Sequence, residues 1–156
     1  MLRALEKSKI RGARGAFAII ASRYNAKYVD AMVAAAEKEL RTAGVKRVQV
    51  VRVPGAFEIP AVAARLAARR PAFSAVICLG VILRGQTNHA QQIADAVSGA
   101  LAQLQVQHAL PIIHEVLLLE NEAQAVVRCL DARHNRGSEA AQTALEMERV
   151  MRSLTK

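Results

Sequence analysis

The stretch Phe73–Leu83, FSAVICLGVIL, is the most apolar segment of the chain and carries the most information about the fold. A short, continuous apolar run of this kind is typical of a strand buried on both faces of a sheet. The polar stretch Arg84–His89 follows it, and Asn88–Gln107 then has apolar residues at helical spacing. This order predicts a strand, a polar loop and a helix that packs back on the sheet.

The same alternation continues towards both ends of the chain. Apolar runs predict three further strands, at Gly15–Ala21, Val45–Val53 and Leu110–Leu119. Helical spacing of apolar residues predicts four further helices, at Asn25–Ala43, Phe57–Arg70, Glu122–Leu130 and Ser138–Leu154. We expect Gly44 and Pro71 to end the first two of these helices. The order is typical of an α/β fold, in which helices cover both faces of a parallel sheet.

The length of 156 residues corresponds to one domain, since domains usually span roughly 100–200 residues. The first fourteen residues contain five basic residues and one acidic residue. We therefore expect a flexible basic arm at residues 1–14, followed by a single domain at residues 15–156.

Two features of the sequence bear on location. No apolar run reaches the roughly 18–20 residues that cross a bilayer, and the N-terminal segment lacks the apolar core of a signal peptide. Cys78 and Cys129 lie in apolar segments and form no CxxC pair, which fits a reducing compartment. The sequence therefore predicts a cytoplasmic protein without a membrane partner.

The net charge of +9, from 22 basic and 13 acidic residues, raises the question of an acidic partner. Two tyrosines and three phenylalanines are too few to stack the bases of a single strand, so we do not expect a nucleic-acid partner. A solvated basic surface is the simplest explanation of the charge. An anionic small-molecule substrate is the third possible explanation of the charge, and it needs only one or two well-placed arginines.

Polar residues follow each predicted strand at the point where the strand ends. They are Ser22–Asn25, Pro54–Glu58, Arg84–His89 and Glu120–Asn121. Ligands of open α/β sheets bind outside the carboxyl ends of the strands. The sequence therefore predicts a binding site at this edge.

The loop after the third predicted strand contains the most informative of these residues. Gly85, Gln86 and Thr87 would present backbone N–H groups and a hydroxyl at a helix N-terminus, which binds anions. Plain capping, with Thr87 or Asn88 as the N-cap, explains the same residues. His89 falls in the first helical turn, where the helix dipole favours a neutral imidazole. It is either a catalytic histidine beside an anion site or an ordinary surface histidine.

Other side chains at this edge and beyond it each allow two interpretations. Glu58 either stabilises the start of a helix or accepts hydrogen bonds from ligand hydroxyls. Tyr24 and Asn25 either cap a helix or present a ring face and an amide to a flat ligand. Arg128 is either a surface arginine over apolar neighbours or a bidentate anion ligand. Arg136 belongs to a basic cluster that is solvated by default.

Several well-known site motifs are missing from the sequence. The four histidines, at positions 89, 108, 114 and 134, show no metal-ligand spacing. The motifs GxGxxG, GxxxxGK[ST] and GxSxG are absent, which argues against a dinucleotide cofactor, against ATP or GTP, and against a serine nucleophile. The residues alone thus indicate an α/β enzyme with an anionic substrate and a catalytic histidine.

Four motifs together resemble the lumazine synthase family. They are Ser22–Asn25 (SRYN), Val53–Pro60 (VPGAFEIP), Leu79–His89 (LGVILRGQTNH) and Asn121–Ala141 (NEAQA…R…NRG…EAA). The resemblance runs from Gly15 to Met151, in the same order and without large insertions. It implies a flavodoxin-like three-layer α/β/α sandwich with a four-stranded parallel sheet.

The resemblance also implies a reaction and an assembly. Members of the family condense 5-amino-6-ribitylaminouracil with 3,4-dihydroxy-2-butanone 4-phosphate in the penultimate step of riboflavin biosynthesis, and they use no metal or organic cofactor. They form homopentamers with sites at subunit interfaces, and some form decamers or sixty-subunit shells. Riboflavin synthase is a further implied partner. A non-catalytic flavin- or lumazine-binding relative, or a shell-forming one, is the alternative, and the intact His89, Arg128 and Glu58 favour the enzyme.

The family's functional residues have counterparts in this sequence. His89 matches the histidine assigned to proton transfer, and Arg128 matches the arginine that binds the substrate phosphate. The resemblance places the other matched positions around the substrates: Gly85, Gln86 and Thr87 at the phosphate, Glu58 at the ribityl hydroxyls, and Tyr24, Asn25, Ala56, Phe57, Val81 and Ile82 in the pocket of the pyrimidine.

Three departures from the family's usual residues stand near the implied site. Tyr24 replaces a phenylalanine, and Arg136 replaces a lysine near the phosphate. His114 and Glu115 replace a typical Phe-Gly pair, of which the aromatic residue forms a wall of the neighbouring subunit's site. We expect these departures to affect affinity and assembly more than the class of reaction.

Overall fold

The computed structural model describes residues 10–155; residues 1–9 and 156 lie outside the described residues. Strands and helices alternate along the chain, as the sequence predicts. The strands are β1 (Ala16–Ser22), β2 (Arg47–Val53), β3 (Ala75–Leu83) and β4 (Ile112–Leu119). The helices are α1 (Ala26–Thr42), α2 (Ile59–Ala67), α3 (His89–His108), α4 (Glu122–Ala125) and α5 (Arg136–Ser153), with a 3-10 turn at Ala56–Glu58 and a π-helical turn at Val126–Leu130.

The four strands form one parallel sheet in the order β2-β1-β3-β4. Phe17 of β1 is in register with Ala75 of β3, and Val76 of β3 is in register with Ile112 of β4. Strands β1 and β3 are internal, and most of their residues are fully buried. This burial explains why their sequences are continuously apolar instead of alternating.

Alternate residues of the strands point into two separate cores. Ile19 and Ile77 pack on one face with residues of α1 and α5. Ile20 and Cys78 pack on the other face with residues of α2 and α3. The layers confirm the predicted α/β/α sandwich with a four-stranded parallel sheet, and the carboxyl ends of the strands meet at one edge between these layers.

Most predicted boundaries are correct to within two residues, and two segments differ more. Helix α1 ends as predicted before Gly44, whose φ of +89° suits a residue without a Cβ. Helix α2 ends at Ala67, earlier than the predicted Arg70, because a residue that precedes a proline such as Pro71 disfavours helical geometry. The predicted helix Glu122–Leu130 is divided into α4 and the π-helical turn.

The N-terminal prediction concerns residues that are mostly not described. The expected flexible arm at residues 1–14 falls largely on residues 1–9, which lie outside the described residues. Ile10 and Ala13 pack against the core on the α1 side, and the Ala13 N–H donates to the Ala43 carbonyl at 3.2 Å. No helix among residues 10–155 combines the length and the apolar composition needed to cross a membrane.

Gly137, in the first turn of α5, allows α5 to pack directly on α1. A Cβ at this position would lie 2.0 Å from the carbonyl oxygen of Met32, which belongs to the backbone of α1. We expect Gly137→Ala to lower the free energy of unfolding by about 3 kcal/mol, because backbone atoms of a packed helix cannot move aside cheaply. Urea unfolding at equal protein concentrations measures this change.

Gly99 provides the matched control for this prediction. It lies within α3 and is exposed, and apart from its chain neighbours and the α3 backbone no atom of the described residues comes within 4 Å of a Cβ placed there. Gly99→Ala is therefore expected to leave the free energy of unfolding unchanged or to raise it by about 0.5–1 kcal/mol through better helix propensity. Equal stability of Gly137→Ala and the wild type would contradict the close packing of α5 on α1.

Candidate active site

A cavity of about 920 Å³ opens at the carboxyl ends of β1, β2 and β3, beside the first half of α3. This is the edge at which the sequence predicts a ligand. Eight of the predicted site residues line it: Tyr24, Asn25, Ala56, Phe57, Glu58, Val81, Ile82 and His89. Five further residues line it that the sequence reasoning missed: Gly55, Leu83, Gln92, Ile93 and Ala96. We call this space the ring cavity.

Asn25 connects two of the strand ends that form the ring cavity. It is the N-cap residue of α1 and adopts a left-handed conformation with φ of 59°, which asparagine tolerates. Its side chain makes no capping bond; instead, its Nδ2 donates to the carbonyl of Val81 at 2.7 Å. Asn25 therefore fixes the end of β3 relative to the start of α1.

Glu58 lies against the backbone of the loop that follows β2. Its Oε2 accepts a hydrogen bond from the N–H of Gly55 at 2.9 Å. A Cβ on Gly55 would lie 2.9 Å from the Tyr24 ring and 3.0 Å from this carboxylate oxygen, so glycine is needed for their close approach. A carboxylate has four acceptor positions, so this local bond leaves Glu58 able to accept from ligand hydroxyls as well.

Two aromatic rings at the ring cavity face solvent. Tyr24 is 70% exposed and Phe57 is 61% exposed, although both are large apolar side chains. Exposed aromatic surface around a cavity is typical of a binding site, because a ligand or a partner removes that surface from water.

His89 is the first residue of α3, and the loop before it is anchored at both ends. Of the two predicted N-caps, Asn88 occupies the N-cap position, but its side chain makes no capping bond. Thr87 lies one residue earlier, and its Oγ1 accepts from the His89 N–H at 3.4 Å. Arg84, which precedes the loop, donates to Glu120 at 2.8 Å and to Gln91 at 3.0 Å. Gly85, Gln86 and Thr87 themselves are exposed, at the N-terminus of a helix of 20 residues.

A second cavity, of about 660 Å³, lies along the edge strand β4 and contains the predicted arginines. Arg128 comes from the π-helical turn and Arg136 from the start of α5. The Arg136 Nη1 donates to the Glu139 carboxylate at 2.7 Å, and its buried Nε has no partner within the described part of the chain. Among the described residues, none lines both this space, which we call the arginine cavity, and the ring cavity.

His114 lies on β4 and is held by two hydrogen bonds. Its Nδ1 accepts from the Val116 N–H at 3.0 Å, so the proton of the neutral ring is on Nε2, which donates to the Ser98 Oγ at 2.7 Å. Burial lowers the pKa of His114. The residue is not among those that line the ring cavity or the arginine cavity, so within one chain it does not join the other predicted site residues.

The described residues offer no other conventional reactive centre. No group of three or more histidine, cysteine, aspartate or glutamate residues within 10–155 is arranged to hold a metal ion. Cys78 and Cys129 are free thiols, and burial raises their pKa values to about 12 and about 11. At neutral pH both are protonated and unsuited to nucleophilic attack.

The fold and the ring cavity together define the class of protein. A parallel α/β sheet carries, at its carboxyl edge, a preformed cavity with aromatic rings, a carboxylate and a histidine at a helix N-terminus. This arrangement is that of an α/β enzyme acting on a small molecule with apolar and polar parts.

Comparison with known proteins identifies the family. The family model for 6,7-dimethyl-8-ribityllumazine synthase matches residues 14–152, so the chain belongs to that family and the resemblance seen in the sequence is confirmed. A relative of that name from Stenotrophomonas maltophilia is 39% identical over 140 residues, which are 88% of this chain and 90% of the relative. A relative of the same name from Kineococcus radiotolerans is 42% identical over 139 residues, which are 88% of this chain and 85% of the relative. One from Xanthomonas euvesicatoria is 38% identical over 147 residues, which are 93% of this chain and 95% of the relative.

Proposed function

We propose that this chain condenses 5-amino-6-ribitylaminouracil with 3,4-dihydroxy-2-butanone 4-phosphate. The products are 6,7-dimethyl-8-ribityllumazine, phosphate and two molecules of water. The proposal is supported by the family model, which spans residues 14–152. The observation that carries it is that Tyr24, Glu58 and His89, which follow three different strands, line one cavity in a chain of this family.

The ring cavity is the proposed site of the ribitylaminouracil. The exposed Tyr24 ring stacks on the pyrimidine, and Phe57 and Ala56 line the same pocket. The Glu58 carboxylate accepts hydrogen bonds from the ribityl hydroxyls at the acceptor positions that its bond from the Gly55 N–H does not use. Backbone groups of Val81 and Ile82 bind the edge of the ring, in a position that Asn25 fixes through its bond to Val81.

The chemistry needs orientation and proton transfer but no protein nucleophile, because the amine of the substrate itself attacks the ketone. His89, at the start of α3 and on the wall of the ring cavity, is the proposed proton shuttle. Arg128, with Arg136 beside it, binds the phosphate through charge-assisted hydrogen bonds. Gly85, Gln86 and Thr87 complete the anion pocket at the helix N-terminus.

The proposed roles require two copies of the chain for each site. His89 lines the ring cavity, whereas Arg128 and Arg136 line the arginine cavity along the edge strand. A substrate that contacts all of them therefore takes the arginines from a neighbouring copy. We propose a homopentamer, or a multiple of it, in which His114 adds a wall to the neighbour's site, with riboflavin synthase as a further partner.

We also propose a cytoplasmic location, which the free buried cysteines support.

Turnover by the purified protein tests the proposed function directly. The protein receives both substrates, and formation of the ribityllumazine is followed by its absorbance against the rate without protein. We expect product well above that background. A folded protein without turnover that still binds the ribitylaminouracil or riboflavin would instead be a binding relative of the family.

A further inference from the structure

Glu115 is a charged residue on an otherwise apolar face of β4. Its neighbours on the same face, Ile113 and Leu117, pack with the core on the α1 and α5 side. Glu115 is half-buried between them and is in register with the fully buried Leu79 of β3. Leu117, two residues further along this face, lines the arginine cavity. Arg128 and Arg136, which line the same cavity, are close enough to act on the Glu115 carboxyl group.

The charged and titratable groups that face Glu115 come from two elements packed against this face. Helix α5 contributes Arg136 and Glu139, and the π-helical turn contributes Arg128 and Cys129. Burial raises the pKa of Glu115 to about 7, although both arginines act to lower it. His114, on the same strand, points to the opposite face and bonds Ser98.

The same two arginines are the proposed phosphate ligands, and one of them already has an acidic partner. Arg136 is bonded to Glu139 at 2.7 Å, so an ionised Glu115 places a second negative charge on the arginine pair. An incoming phosphate must then share the guanidinium groups with two carboxylates. When Glu115 is neutral, the phosphate competes with one carboxylate only.

We propose that Glu115 sets the affinity of the arginine cavity for the substrate phosphate, with its neutral form allowing tight binding and its ionised form weakening it. This proposal rests on the proposed function, because it takes Arg128 and Arg136 as the phosphate ligands. Glu115 touches neither substrate in it; it is a positioning residue that acts through the two arginines.

The sign of the pH dependence follows from linkage. A bound anion uses the positive charge of the arginines, so it favours the protonated form of Glu115 and raises its pKa further. Binding therefore takes up a proton, and departure of the phosphate releases it. Affinity is highest below about pH 7 and falls as the pH rises through the pKa of Glu115, which burial raises to about 7.

Sulfate binding measured by isothermal titration calorimetry tests the proposal without any turnover. Sulfate carries two charges and does not titrate between about pH 6 and about pH 8.5, unlike phosphate. For the wild type, we expect affinity to fall by about fivefold across this range, with uptake of a proton that is revealed by buffers of different ionisation enthalpy. Glu115→Gln should bind with the same affinity at every pH and without a linked proton.

Three further variants make the test specific. Glu146→Gln removes an exposed carboxylate on α5, the helix that also carries Arg136. Glu146 pairs with Arg149 and does not face the arginine cavity, so this variant should behave as the wild type. Arg128→Ala should abolish sulfate binding, which locates the anion at this cavity. Glu115→Ala repeats the expected pH-independent binding with a smaller side chain, in case glutamine disturbs the packing.

In steady-state kinetics, the KM for the phosphate substrate should lose its pH dependence in Glu115→Gln, with kcat little changed.

The outcomes separate this proposal from the proposed function. An unchanged pH profile in Glu115→Gln, sulfate binding that survives Arg128→Ala, or no sulfate binding by the wild type at any pH would each overturn the role of Glu115 and leave an active enzyme untouched. Conversely, a protein without turnover whose sulfate affinity depends on Glu115 would reject the reaction and retain the role of Glu115.

Discussion

Replacing Arg128 with alanine is expected to raise the KM for 3,4-dihydroxy-2-butanone 4-phosphate by about 100-fold and to change kcat by less than about tenfold. A guanidinium binds a phosphate through two charge-assisted hydrogen bonds, whose loss costs about 1.5–3 kcal/mol. Arg128 is exposed at the arginine cavity, so its removal leaves the core intact. Kinetics in which each substrate is varied should show an unchanged KM for the ribitylaminouracil, because that substrate occupies the ring cavity.

Arg133 supplies the matched control for Arg128. It lies in the turn that follows the π-helical turn, its side chain is 83% exposed, and it pairs with Asp131 at 3.6 Å. Arg133→Ala removes the same charge from the same region and should leave both KM values unchanged. If Arg128→Ala and Arg133→Ala have equal effects, general attraction of the anion explains the result, and Arg128 is not a specific ligand.

Arg128→Ala also tests whether each site is shared between two copies. Co-expressed with His89→Ala in equal amounts, it should form mixed assemblies in which about one quarter of the sites combine an intact His89 with an intact Arg128. At a low concentration of the phosphate substrate, activity should then recover to about one quarter of the wild-type value. If both residues of a site came from one copy, the mixture would show only the mean activity of the two variants.

The sequence predicts the layers of the fold well, because burial leaves a direct mark on composition. Strands β1 and β3 lie inside the sheet, and their continuous apolar runs are what two buried faces require. Gly44 marks the end of α1 for a purely local reason, a positive φ. Such local signals are readable without knowledge of the neighbouring elements.

The segment Glu122–Leu130 shows what local reasoning does not predict. Its composition suits an ordinary helix, yet the chain changes to a π-helical turn at Val126, and the Asp131 N–H donates to the Val126 carbonyl at 3.2 Å. Asn135 then caps α5 by accepting from the Gly137 and Ser138 N–H groups. The Asn135 Nδ2 also donates to the Cys129 carbonyl in the widened turn, and the Cys129 side chain is buried in the core shared with α1. Helical spacing of apolar residues carries no sign of either contact.

The ring cavity opens at the edge where the sequence predicts a site, and three of the lining residues that the sequence analysis does not name carry a local signal. Gln92, Ile93 and Ala96 follow His89 at intervals of three, four and seven residues, so helical spacing already places them on one face of α3 with it. The bond from Asn25 to Val81 had no such signal, because it joins residues 56 apart. Nor could spacing reveal that Arg128 and His89 line different cavities.

Replacing His89 with alanine is expected to lower kcat by about 100-fold without abolishing turnover. The imidazole is the proposed carrier of protons between the reacting groups, and such transfer typically contributes about 100-fold or more. The residual rate should still exceed the background, because the ring cavity and the arginine cavity continue to hold both substrates in position. Single-turnover and steady-state rates on the purified variant measure both values.

His89→Gln and His134→Ala make this result interpretable. Glutamine keeps hydrogen-bonding groups at the start of α3 but cannot accept and return a proton at neutral pH, so it should be as slow as alanine. His134, an exposed histidine beside Asp131, should be dispensable. A glutamine variant with the wild-type rate would show that His89 only positions substrate. A folded His89→Ala without any residual turnover would show that orientation contributes less than proposed, since both substrates would be bound in place and still fail to react.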